Sequence, residues 1–164
     1  MDKVYESQKY EDEIYKKWEE SGFFNPDVCV EKGVCKKDAE TFSVVLPPPN
    51  ITDKLHLGHV VMVAVTDILA RYYRMKGRRV LWIPGTDHAA LASQNVVEKK
   101  LWKEKKETRH DLGREKFLEE VWQFVNKTQA TIIHQLKKAG ASLDWSREAF
   151  TLDEQRQRAV KQMF

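Results

Sequence analysis

The sequence predicts an α/β fold, in which parallel strands joined by a crossover helix are followed by further helices. Three stretches carry that prediction. "TFSVVL", residues 41–46, is β-branched and aromatic and runs into Pro47, Pro48 and Pro49, as a buried strand does at its end. Residues 57–75 repeat Leu57, Val60, Val61, Ala64, Val65, Ile68, Leu69 and Tyr72 at helical spacing, and Gly77 supplies a stop. "RVLWIPG", residues 79–85, is a second strand closed by Pro-Gly. Strand, helix, strand in that order is a βαβ unit, which pairs its strands in parallel through a right-handed crossover.

The flanking elements follow the same logic. Tyr10, Ile14, Tyr15 and Trp18 mark an amphipathic helix over 10–21, ended by Gly22. Residues 25–40 mix Pro, Gly, Cys and charge and read as a loop. Met62 and Val63 widen the apolar face of the 57–75 helix, so its first turns are expected to be buried on most sides. A helix over about 90–106 ends in "KKLWKEKKE", a solvated basic face interrupted by Glu104 and Glu107. Leu118, Trp122, Val125, Ile132, Leu136 and Ala139 line one stripe of a helix over 112–139, ended by Gly140. Thr151 with Glu154 matches a capping box, which starts the last helix near Leu152 and leaves Val160, Met163 and Phe164 as exposed apolar surface. Trp82 and Trp145 read as core aromatics. Two strands make an incomplete sheet.

Composition sets few further bounds. The 164 residues carry 28 basic and 25 acidic side chains, a net charge of +3, which gives no prior for nucleic acid. Cys29 and Cys35, with no second ligand pair nearby, read as free thiols in a reducing compartment, and no metal site is assigned. The N-terminal stretch is charged throughout, and no apolar run approaches the roughly 20 residues of a membrane span. A soluble cytoplasmic protein without membrane contact is expected.

The chemistry concentrates beyond the two strand ends, where α/β sheets bind ligands. In "PPPNITDKLHLGH", residues 47–59, His56 and His59 sit at a helix start whose free N–H groups and positive dipole end suit a phosphate. Imidazoles there donate hydrogen bonds to phosphate oxygens, and Gly58 leaves room for a base or ribose. Alternatively, His56 caps the helix and His59 fills a polar niche. In "GTDHA", 85–89, Asp87 either anchors a substrate ammonium group or caps the following helix. Nothing local decides the role of His88, and Asn50 reads as a turn residue.

Together these stretches resemble the class I aminoacyl-tRNA synthetases, within them the valine-activating branch. "PPPNITDKLHLGH" is similar to that family's H-x-G-H nucleotide signature. "RYYRMKGRRVLWIPGTDHAALASQNVVEK", "RHDLGREKFLEEVW" and "GASLDWSREAFTLDE" resemble the next blocks in the same order. The isoleucine and leucine relatives typically show Gly-Trp-Asp where this chain has Gly85, Thr86 and Asp87, so Thr86 and His88 point to valine.

The resemblance implies a Rossmann-like nucleotide-binding domain that converts valine and ATP, with magnesium accompanying ATP, to valyl-adenylate and then charges tRNA(Val). It assigns Asn50, Thr52, His56, Gly58 and His59 to ATP, with the two histidines catalytic, and Pro48, Asn50 and Asp87 to valine. It divides the chain into a helix-and-loop extension, 1–40, and an incomplete N-terminal part of the catalytic domain, 41–164. Two positions depart from the family pattern, Asp53 and Ala90, each where Gly is usual. An acidic Asp53 near a triphosphate repels it unless turned outward. The family's Lys-Met-Ser-Lys-Ser signature, editing region and anticodon-binding helices have no counterpart in these residues. The expectation is therefore an N-terminal fragment, completed by a C-terminal polypeptide. The alternative is a non-catalytic nucleotide-binding or assembly module.

Overall fold

The computed structural model describes residues 5–164. In chain order the elements are α1 (Ser7–Ser21), α2 (Pro26–Glu31), β1 (Thr41–Ser43), α3 (Leu57–Met75), β2 (Arg79–Leu81), β3 (Gly85–Thr86), α4 (Ala90–Lys105), α5 (Arg109–Leu112), α6 (Arg114–Lys138), a single 3-10 turn (Trp145–Arg147), β4 (Ala149–Phe150) and α7 (Glu154–Met163). Two compact units emerge. One comprises the described residues through Pro47 with His56–Pro84 and Gln135–Glu148; the other comprises Pro48–Leu55, Gly85–His134 and Ala149–Phe164.

The first unit contains the expected βαβ element. β1 and β2 pair in parallel, Thr41 opposite Arg79 and Ser43 opposite Leu81, with α3 as the crossover. Both strands are shorter than expected. Three consecutive prolines follow Leu46, and Pro84, which has no N–H to donate, separates β2 from β3. The 41–46 segment is also covered on one face only: Phe42 stacks on Tyr73 at 4.0 Å between ring centroids, whereas Val45 is exposed. Residues 25–40, expected to be loop, contain α2. Asn25 accepts the N–H of Asp27 at 2.8 Å and Pro26 occupies the first helical position, a start signal that six residues were long enough to use.

α3 departs most from expectation. Leu57, Val61, Val65 and Ile68 are 77, 55, 55 and 66 % exposed, while Val63 and Ala70 are 2 and 0 % exposed on the opposite side. The buried side is selected by polar anchors. Arg71 donates to the Gly140 carbonyl at 2.8 Å, Arg74 donates to the Ser142 carbonyl at 2.8 Å, and Asp67 accepts the Ser142 N–H at 2.9 Å. These arginines satisfy backbone carbonyls of the segment just past the end of α6. Tyr15 closes the same region, donating to the Ala141 carbonyl at 2.8 Å and accepting the Trp145 indole N–H at 2.7 Å. Trp82 is fully buried, whereas Trp145 is only half-buried beneath Lys137.

The second unit holds a strand pair that the sequence reading did not foresee. β3 and β4 run parallel, Gly85 opposite Ala149 and Thr86 opposite Phe150. Its apolar centre is Val97, Leu101 and Phe117, flanked by Leu112, Val121 and Phe124. The lysines of 99–106 are exposed, as a solvated face requires. The helix expected over about 112–139 is α6, Arg114–Lys138; it starts after Gly113, whose φ of 75° separates it from α5. α7 is capped by Asp153, which accepts the Arg156 N–H at 2.9 Å; Thr151 is no part of a capping box. Val160, Met163 and Phe164 are exposed, as expected. Among the described residues no helix is long and apolar enough to cross a membrane.

Candidate active site

His56 is the N-cap of α3, with extended backbone at φ −104° and ψ 170°. Its Nδ1 accepts the Gly58 N–H at 3.1 Å, and its own N–H donates to His59 Nδ1 at 3.2 Å. This is a capping box built from two imidazoles, whose centroids lie 3.8 Å apart. Capping uses only one nitrogen of each ring. A neutral imidazole that accepts at Nδ1 carries its proton on Nε2, so each ring keeps one donor free at the positive end of the helix. Desolvation first, and the neighbouring His56 second, lower the pKa of His59, which favours that neutral donor form. Gly58 is explained by the same ring: a Cβ there would lie 3.0 Å from His56 Cε1.

The second unit gathers Pro48, Asn50, Thr52 and Asp87. The 48–55 loop is zipped to the residues after β3 by backbone pairing: Ile51 N–H donates to Asp87 O at 2.8 Å and Asp87 N–H to Pro49 O at 2.9 Å. Buried Ser93 fixes the same two segments, its Oγ lying 2.8 Å from Ile51 O and 2.7 Å from His88 O. Pro48 and Asn50 are exposed, and Thr52 is half-buried. Asp53 is exposed and its carboxylate accepts the N–H of Lys54 at 2.7 Å, a local turn contact.

Asp87 is not the N-cap of α4. That position belongs to Ala89, in left-handed backbone with no side-chain cap, and Asp87 Oδ1 instead accepts the Ala89 N–H at 3.1 Å. Buried Thr86 accepts from Gln129 Nε2 at 3.0 Å, which ties the strand end to α6. Sequence reasoning missed Gln129, Ser93 and, above all, Thr151, whose hydroxyl reaches both Asp87 and His88. For Thr151 the sequence offered no signal: the Ala149-Phe150 strand before it is too short to show a period, and the Thr-x-x-Glu spacing pointed to a helix cap.

The architecture, a parallel βαβ unit whose crossover helix starts on His-x-Gly-His, defines a class I synthetase nucleotide-binding fold. It superposes with a TM-score of 0.70 on the ternary LeuRS–tRNA–LeuAMS complex of Agrobacterium radiobacter K84, at 19 % identity over 98 % of this chain and 17 % of that one. The chain belongs to the family of class I tRNA synthetases for I, L, M and V, which residues 13–164 match. Its relatives include the valine–tRNA ligases of Thermotoga maritima, 49 % identical over 98 % of this chain, and Treponema denticola, 48 % identical over all of it. The mitochondrial valine–tRNA ligase of Mus musculus is 48 % identical over 98 %. This chain spans 18, 17 and 15 % of the lengths of those three proteins.

Proposed function

We propose that this chain carries the ATP- and valine-recognition elements of a valine–tRNA ligase. The observation that carries the reading is identity of 44–49 % with valine–tRNA ligases along essentially the whole chain. In this reading His56 and His59 donate through Nε2–H to the phosphates of magnesium-bound ATP, and more strongly as charge builds in the transition state. Asn50, Thr52 and Gly58 complete the ATP contacts. Asp87 holds the valine ammonium through a charge-assisted hydrogen bond, beside Pro48 and Asn50. The carboxylate of valine attacks the α-phosphorus, pyrophosphate leaves, and the valyl-adenylate passes its acyl group to tRNA(Val).

The proposal retains the division at residue 40 and a cytoplasmic location, although some relatives are mitochondrial. It assigns the cations of the second signature and the tRNA contacts to polypeptide beyond the matched stretch, on the same chain or a complementary one. The test is valine-dependent exchange of labelled pyrophosphate into ATP, with and without the remaining portion of the Thermotoga maritima relative. Exchange dependent on valine, in either mixture, supports the reading. ATP binding without exchange in both supports the non-catalytic module instead.

A further inference from the structure

Thr151 has no part in the roles assigned so far, yet its hydroxyl makes three contacts around Asp87. Parallel pairing of β3 with β4, extended by the Thr151 N–H on Thr86 O at 3.2 Å, delivers it there. Thr151 Oγ1 lies 3.1 Å from Asp87 Oδ1, 2.9 Å from the His88 backbone nitrogen and 2.5 Å from His88 Nδ1. A hydroxyl has one proton to give. Asp87 can only accept, so that proton goes to Oδ1, and the lone pairs of Oγ1 receive the His88 amide and the His88 ring proton. His88 Nδ1 is also 3.3 Å from Asp87 Oδ1, a second acceptor for the same ring proton. The neutral ring is thereby held as the Nδ1–H tautomer, with the lone pair of Nε2 unused. This is the opposite tautomer to that of His56 and His59.

The pattern on Asp87 is equally one-sided. The Ala89 N–H, the Thr151 hydroxyl and His88 Nδ1 all converge on Oδ1. Oδ2 takes no hydrogen bond from any described residue, and the side chain is 35 % exposed. We propose that Thr151 is a positioning residue for amino-acid recognition: it fixes Asp87 through one oxygen, leaving Oδ2 for a primary ammonium group, and sets His88 as an acceptor at Nε2 for a donor of that same substrate. The inference rests on the assignment of Asp87 to the valine ammonium.

Two readouts test it. Nitrogen NMR of the histidine-labelled chain reports the His88 tautomer, and calorimetry with L-valine reports affinity. The wild-type ring is expected in the Nδ1–H form. Thr151→Val is expected to move the ring toward Nε2–H and to weaken valine binding about tenfold, the scale of one lost charge-assisted hydrogen bond. Thr151→Ser restores both. A wild-type ring in the Nε2–H form overturns the proposal without any variant, so it stays testable if Thr151→Val does not fold. Valine binding that Thr151→Val leaves unchanged also overturns it, while leaving the assignment of Asp87 intact. A Thr151-dependent tautomer in a chain that binds no valine supports the hold on His88 and sinks the ammonium assignment.

Discussion

The backbone N–H of His56 donates to Nδ1 of His59 at 3.2 Å, so the second imidazole of the pair helps close the turn that presents both. Protonating His59 at Nδ1 replaces an acceptor with a donor and breaks that bond. Its pKa is lowered from the ordinary 6.5, by desolvation and then by His56. For a histidine whose folded pKa is depressed, the linked stability is present above the unfolded pKa and is lost as pH falls through the folded one. Proton NMR titration is expected to find His59 below 6.5. His56→Asn, which keeps a capping acceptor, raises it toward that value.

Ala90 sits at φ 37°, next to Ala89 at φ 52°. A side chain in left-handed backbone costs roughly 1–2 kcal/mol. Ala90→Gly is expected to raise the thermal midpoint by about 2–4 °C, the shift that about 1 kcal/mol produces in a chain of this size. Differential scanning calorimetry checks it.

The two faces of α3 respond oppositely to substitution. Ile68→Lys changes an exposed position and is expected to alter the unfolding free energy by less than about 0.5 kcal/mol. Val63→Ala opens a cavity on the buried face and costs on the order of 2 kcal/mol. Urea titration of both variants separates them.

Burial pushes the Tyr15 hydroxyl up to about 12 from an ordinary 10.0. A raised folded pKa gives stability that is whole below the unfolded value and is lost as pH rises through the folded one, so alkaline destabilisation is expected between these limits. Tyrosinate absorbance during alkaline titration follows it. Tyr15→Phe abolishes that component and costs about 1–3 kcal/mol at neutral pH, because the Ala141 carbonyl and the Trp145 indole lose their partner.

Long periodic elements were legible in the sequence, and contacts between distant segments were not. The 57–75 helix and the strands flanking it follow from spacing, prolines and glycines, all local properties. Which face of α3 is covered is not local: it is decided by Asp67, Arg71 and Arg74 reaching residues 140–142. Two-residue strands such as β3 and β4 have no period to detect, and without them Thr151 had nothing to join. The Thr-x-x-Glu spacing was then satisfied by chance, two residues before the true cap at Asp153. His56 and Asp87 could be named from their motifs; the hydrogen bonds that set the imidazole tautomers and leave one Asp87 oxygen open required coordinates.

The most direct test of the assignment is calorimetric titration with a non-hydrolysable sulfamoyl analogue of valyl-adenylate, which engages the nucleotide and amino-acid determinants at once. Saturable binding to the wild-type chain, weakened at least about tenfold by Asp87→Asn, is the predicted result. No binding to the wild-type chain, or equal binding to the variant, contradicts the account.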